Sequence, residues 1–294
     1  MNVGIVGLGL IGGSLGLELR SLGHYVLGVS RREETCQLAR RQEAVDEASA
    51  KLAPLANAEI VFICTPLAVI APTLEQLLPY LDPETVLTDV ASVKMPVVET
   101  VSPKWSNFVG GHPMTGTAEQ GIAAAQIGLF TETPYVLTPT ETTPKAALRQ
   151  VETVARSLGS QIYFCPPQDH DRAVAWISHL PVMVSASLIA ACRSESNPAI
   201  LELAQQLASF GFHDTSRVGG GNPELGVMMA RYNRQELLRS LGQYRQSLDQ
   251  LMSLIEQEDG QALEQLLQST NQARPQFFSR KHHTGNPSNT TLGG

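Results

Sequence analysis

The chain has no surplus of positive charge. It carries 21 Lys and Arg against 28 Asp and Glu, a formal net charge of −7 over 294 residues. Binding a phosphate backbone needs a basic surface, so nucleic acid is excluded as a general partner. Cysteine is scarce, and Cys36, Cys64, Cys165 and Cys192 show no paired spacing. That pattern fits reduced thiols of a cytoplasmic protein, not a disulfide framework. No apolar run approaches the ~20 residues needed to span a bilayer, so no membrane association is expected. No leader is expected either, because an apolar strand pattern already begins at Asn2. The Asp169-His170-Asp171 cluster lacks companion ligands at a usable spacing, which argues against a metal site. What remains is a chain 43% hydrophobic and 17% charged, able to form substantial cores and long enough for about two domains.

The most informative stretch comes first. Asn2 to Val6 reads as a strand, and Gly7-Leu8-Gly9-Leu10-Ile11-Gly12 follows without a break. A strand feeding a Gly-x-Gly-x-x-Gly turn that opens a helix is the dinucleotide-binding fingerprint. Gly7 serves the tight turn, Gly9 leaves room for a pyrophosphate, and Gly12 lets helix and strand pack closely. The helix N-terminus then faces the phosphates with free amides and its positive dipole end. The helix is predicted over Leu10 to Leu22 and ends at Gly23.

The second strand, Tyr25 to Val29, ends in Ser30-Arg31-Arg32. An acidic residue there would bind the ribose hydroxyls of NAD, and none is present. Ser30 can donate a hydrogen bond and Arg31 offers a planar fork of donors to a 2′-phosphate. NADP is therefore the expected cofactor, against the alternative of a solvated basic turn.

Further strands are predicted at Ile60–Cys64, Val86–Asp89, Phe108–Gly110, Tyr135–Thr138 and Gln161–Phe164, with helices between them. This alternation implies an α/β domain with a doubly wound, mostly parallel Rossmann sheet over residues 1–165. Ligands of such sheets sit beyond the carboxyl ends of the strands. Thr65-Pro66, Asp89 to Lys94 and Gly111-His112 occupy those positions. From residue 166 to 280 the pattern is helical, and this half is expected to be an all-α domain. A long helix from Asp169 to Arg193 should bend at Pro181. Asn197-Pro198 and Asn222-Pro223 are helix starts, the second opening a run toward Glu258. Along it Leu237, Leu241, Tyr244, Leu248, Leu251 and Ile255 form a heptad-like seam. Packing within one subunit competes here with a homodimer interface, and the dimer is preferred. Residues 281–294 are expected to be disordered.

Several residues carry chemistry. His112 follows a strand end on the face where a nicotinamide should lie, and an imidazole can accept a substrate proton near neutral pH. Taken alone, a loop histidine is more often just a loop histidine. Ser92 is placed to bond His112 or a substrate hydroxyl, and Lys94 to neutralise an anion, although Asp89 or Ser92 also suits a helix cap. Asp214 is placed to hold Arg217 and aim it at a substrate carboxylate. His179, among apolar neighbours, reads as a buried histidine.

Five motifs in order now resemble one family. They are the glycine fingerprint, Asp-x-x-Ser-x-Lys at 89–94, Gly-x-His-Pro-Met-x-Gly at 110–116, Ser-His-Leu-Pro at 178–181 and Asp-x-x-Arg at 214–217. Together they resemble the prephenate/arogenate dehydrogenases of tyrosine biosynthesis, over the chain up to about Arg280. The resemblance implies oxidative decarboxylation of a cyclohexadienol by a homodimer with a helical dimerisation domain. It makes His112 the catalytic hydrogen-bond acceptor, Ser92 its partner, Arg217 the carboxylate binder and His179 an active-site polar residue. Departures at Ala118, Val182 and Gly226 fall on the side-chain pocket. With the Ser30-Arg31 turn they make the chain look most like the NADP-dependent branch that prefers arogenate, with prephenate as the alternative. Another NADP-linked two-domain dehydrogenase and a non-catalytic NADPH sensor remain rivals.

Overall fold

The computed structural model describes residues 1–117 and 119–277. Ala118 and the expected disordered tail lie outside the described residues. Among the described residues eight strands form one sheet: β1 Asn2–Val6, β2 Tyr25–Val29, β3 Glu47–Ser49, β4 Ile60–Ile63, β5 Val86–Asp89, β6 Phe108–Pro113, β7 Pro134–Thr138 and β8 Gln161–Phe164. Their order is β3-β2-β1-β4-β5-β6-β7-β8. Neighbours from β3 to β6 are parallel, β6 and β7 are antiparallel, and β7 and β8 are parallel. The sheet is thus the doubly wound, mostly parallel one expected.

Helices α1 Leu10–Ser21, α2 Glu33–Arg41, α3 Ile70–Leu77, α4 Met95–Val101 and α5 Lys145–Ser157 connect the strands. They divide the core into two apolar layers. One holds Leu15 and Leu19 of α1 with Val151 and Val154 of α5. The other holds Leu74 and Leu77 of α3 with Val97 and Val101 of α4. Burial of both sheet faces is why β4, Ile60–Ile63, is apolar throughout.

The helical part begins with α6 Pro167–Val174, a π-turn at Ala175–His179 and α7 Leu180–Arg193. The bend expected at Pro181 is therefore a π-turn just before it. This 27-residue stretch, Pro167–Arg193, is long and apolar enough to cross a membrane by length and composition alone. That corrects the reading that no stretch comes near such a length. Its polar residues His170, Asp171 and His179 are all buried. Next come α8 Pro198–Leu207, α9 Phe210–Ser216, a 3₁₀ turn at Arg217–Gly220, α10 Pro223–Tyr232, α11 Arg234–Glu256 and α12 Gly260–Ala273. The Asn197 and Asn222 side chains cap α8 and α10 as expected, accepting from Ala199 and Glu224 backbone N–H groups.

The continuous helix expected from Pro223 toward Glu258 is broken at Asn233, whose backbone leaves helical geometry (φ −114°, ψ 35°). Its side chain is bonded elsewhere. Composition changes at residue 166, but the first compact unit runs from Met1 to Ser240 and the second begins at Leu241. Buried hydrogen bonds among α6, the π-turn and Asn233 belong to the first unit.

Candidate active site

The glycine turn has the geometry of a pyrophosphate cradle. Gly7 sits at φ +103°, in the left-handed region that side chains disfavour. It lies against the Cys64–Thr65 peptide beyond β4, where an added Cβ would come within 2.8 Å of Cys64. A Cβ on Gly12 would meet the Gly7 carbonyl oxygen at 2.0 Å, so helix and turn touch there. A Cβ on Gly9 would meet nothing within 4 Å, which leaves open space before the first turn of α1. That turn has no side-chain cap and no acidic residue, so its amides are free for an anion. Leu8 is buried in the core, with Leu10 and Ile11 packed against it, fixing the turn from below. Thr65 Oγ1 is buried with no partner among the described residues, and Pro66 starts the next short turn. The residues present fit a dinucleotide.

At the end of β2, the Ser30 backbone N–H bonds Ser49 and the Ser30 hydroxyl accepts from the Arg32 backbone N–H at 3.4 Å. Arg31 and Arg32 are exposed, and neither is in an ion pair among the described residues. Two guanidinium groups outside any ion pair among the described residues therefore stand at the carboxyl end of β2.

His112 lies inside β6, not in a loop beyond it. The first half of β6 pairs with β5 through Phe108 and Val109. Its second half, Gly110 to Pro113, continues past β5 because antiparallel β7 supplies hydrogen-bond partners, with His112 opposite Val136. Beneath it, Lys94 is 0% exposed and bonds the Asp89 carboxylate and, at 2.5 Å, the Gly111 carbonyl. Asp89 also accepts from the Gly111 and Ala91 N–H groups. Lys94 thus ties β5 to β6 and does not face an external anion, a correction to its expected role. A charge pair this deep holds geometry, because removing one member would leave the other buried and uncompensated.

His112 Nδ1 is 2.8 Å from Nε2 of His170, and His170 Nδ1 is 2.7 Å from the Asp171 carboxylate. The same carboxylate accepts the Lys94 and Met95 backbone N–H groups at 2.6 and 2.8 Å. Asp171 therefore caps α4, the role expected of Asp89 or Ser92. Its bonds also fix two tautomers. A carboxylate can only accept, so His170 carries its proton on Nδ1 and presents a lone pair at Nε2. His112 must then donate from Nδ1, which leaves His112 Nε2 as a bare acceptor. Burial holds the His112 pKa well below 6.5, and the nearby His170, Lys94 and His179 add to the effect. The ring is neutral at physiological pH, and 8% of its surface stays open. Burial likewise lowers His170, against the opposing bond to Asp171.

Ser92 does not bond His112, whose Nδ1 is taken by His170. Its hydroxyl is buried without a partner among the described residues, so of its two expected partners only a bound ligand remains. His179 is 0% exposed. In an unbroken α-helix nine residues turn the chain through roughly 900°, which would put His179 opposite His170. The π-turn absorbs one residue, about 100°, and so cuts their separation around the helix from roughly 180° to roughly 80°. Asp214 faces His213 at 3.1 Å, and the expected Asp214–Arg217 ion pair is not formed among the described residues. Arg217 is exposed on its 3₁₀ turn. That turn is seated on α7 through Gly219, whose N–H donates to Ser185 Oγ at 2.8 Å.

Residues 15–164 match the nucleotide-binding domain of prephenate dehydrogenase, and residues 166–269 match its dimerization domain. Arogenate dehydrogenase of Synechocystis is similar in structure, with a TM-score of 0.88 at 56% identity, covering 94% of this chain and 100% of that one. Prephenate dehydrogenase of A. aeolicus in complex with hydroxyphenyl propionate and NAD+ gives a TM-score of 0.89 at 26% identity, covering 94% of this chain and 98% of that one. Prephenate dehydrogenase of Bacillus subtilis is 31% identical over 266 residues, 88% of this chain and 71% of that protein. With both domain matches following one another along the same chain, this protein belongs to the prephenate dehydrogenase family.

Proposed function

We propose that this chain catalyses the oxidative decarboxylation of L-arogenate to L-tyrosine and carbon dioxide, using NADP+, as a cytoplasmic homodimer. The observation that carries the reaction type is the His112 Nε2 lone pair, held bare and neutral in a buried network at the carboxyl end of the sheet. The bound dinucleotide supplies the hydride acceptor. His112 Nε2 accepts the proton of the ring hydroxyl as that carbon is oxidised. Ser92, with its unpaired hydroxyl, steadies the same oxygen. Loss of the ring carboxylate as carbon dioxide then leaves an aromatic ring whose oxygen takes the proton back from His112, and aromaticity drives the step. Arg217 offers a substrate carboxylate its two-pronged contact. Burial of His112 and of the Ser92 hydroxyl strengthens their interactions.

Arogenate is favoured by the likeness to the Synechocystis enzyme. NADP is favoured by the unpaired Arg31 and Arg32 and by the missing acid at Ser30. Dimerisation is supported by the family's dimerization domain and by the seam on α11, where Tyr244, Leu248 and Ile255 are exposed. Prephenate, giving 4-hydroxyphenylpyruvate, is the second reading, favoured by the name of the Bacillus subtilis relative. Product analysis tests the proposal. Purified protein given arogenate and NADP+ should release tyrosine, carbon dioxide and NADPH in equal amounts. NADPH formed without carbon dioxide would point to another dehydrogenase chemistry.

A further inference from the structure

Asn233 stands at the break between α10 and α11 and is 4% exposed. Its side-chain nitrogen lies 2.7 Å from the backbone carbonyl oxygen of Asp171 and 3.1 Å from Nδ1 of His179. A carbonyl oxygen only accepts, so the atom facing it is the amide nitrogen, and the orientation of the Asn233 amide is settled. That nitrogen has two protons. One goes to Asp171 and the other is directed at His179 Nδ1, which must then be the acceptor. The His179 proton is left on Nε2, and Nε2 is buried without a partner among the described residues. His179 joins the same network as His112, through Asn233 to the Asp171 carbonyl and from the Asp171 carboxylate through His170. A buried N–H with nothing to bond is costly unless a ligand completes it.

We propose that Asn233 is a positioning residue that fixes His179 as the Nε2–H tautomer, so that His179 donates a hydrogen bond to an anionic oxygen of the substrate. The site then presents two imidazoles of opposite character. His112 offers a lone pair and His179 offers a proton, and both are referenced to Asp171. The side chain of Asp171 sets His112 through His170, and its backbone carbonyl sets His179 through Asn233. Identification of the oxygen as the substrate's rests on the proposed dehydrogenase reading. The tautomer itself does not.

Nitrogen-15 NMR of the histidine-labelled full-length protein, free of substrate, tests the tautomer. The His179 signals are those lost in His179→Gln. The protonated nitrogen should be Nε2, and protonation at Nδ1 would overturn the proposal whatever the substrate is. This measurement needs no Asn233 variant to fold. Asn233→Asp replaces the donor with an acceptor of the same size, and should move the proton to Nδ1. It should then lower kcat/KM for arogenate by about 10- to 150-fold, the range for losing a hydrogen bond to a charged group. Most of this should fall on KM, and the affinity for NADP+ alone should hold. In His179→Gln the side-chain amide supplies its own N–H, whatever residue 233 is. Asn233→Asp should therefore cost much less in that background. An equal loss in both backgrounds would reduce Asn233 to a structural role and contradict the proposal.

Discussion

The Nδ1 atom of His112 lies 2.8 Å from Nε2 of His170, and this one contact decides which end of His112 is available for chemistry. With Asp171 on the far side of His170, the proton positions follow in sequence, and the open nitrogen of His112 is an acceptor. The arrangement resembles a carboxylate fixing a histidine tautomer, with a second imidazole interposed.

Loss of either ring should therefore reach the chemical step. His112→Asn keeps a polar group but removes the base, and kcat should fall by about 10²–10⁴-fold. His170→Leu leaves His112 in place with Nδ1–H unpaired and free to reorient, and kcat should fall by about 10–10²-fold. Titrations with NADP+ should show near-parental affinity in both. Near-parental turnover of His112→Asn at neutral pH would make His112 a bystander.

The pH profile follows from the direction of the pKa shifts. His112 must be neutral to accept a proton, and burial holds its pKa well below 6.5. Activity should stay flat as pH falls to 6.5, and the acid limb of kcat/KM should appear only below that. Stability has the same sign. The unfolded chain takes up protons at its histidines near pH 6.5, while folded His112, His170 and His179 resist them, His179 down to about 4. Their contribution is full above pH 6.5 and declines from there toward pH 4. Urea melts across this range should show it, and a chain equally stable at pH 7 and pH 5 would contradict the burial of these rings.

Cofactor choice should depend on the end of β2. Replacing Ser30 by Asp and Arg31 by Ala places a carboxylate where a 2′-phosphate would lie and removes a cation. NADP+ should bind more weakly and NAD+ should be relatively favoured, as read from kcat/KM with each. An unchanged ratio would take the turn out of the cofactor site.

Arg217 should act on the substrate alone. Arg217→Ala should raise KM by roughly 10- to 150-fold, since a hydrogen bond to a charged group contributes about 1.5–3 kcal/mol. Arg217→Lys should rescue only part, because an ammonium lacks the two-pronged geometry. A variant that lost NADP+ affinity and kept its KM would move Arg217 to the cofactor side.

Much of this was legible in the sequence because turn and cap chemistry is local. Gly7, Gly9 and Gly12 declare the cradle within six residues, and Asn197 and Asn222 declare helix starts. Strand β3 was not legible, since Glu47–Ser49 is three residues with no apolar pattern. His112 stood out as a residue type, but its partners did not. His170 is 58 residues away, and Asn233 is 62 residues from Asp171. The Asp169-His170-Asp171 cluster drew attention as a possible metal site, when the signal was a carboxylate beside a histidine. The break at Asn233 was hidden because the seam of α11 continues the helical pattern up to it. Only the fold shows that this asparagine turns to bond Asp171 and His179.

The most direct test of the account sets arogenate and prephenate against NADP+ and NAD+ with the purified protein, following absorbance of the reduced nicotinamide. Arogenate with NADP+ should give the highest kcat/KM of the four combinations. A higher value with prephenate, or with NAD+, would contradict the proposed substrate or cofactor, and no reduction in any combination would contradict the assigned reaction itself.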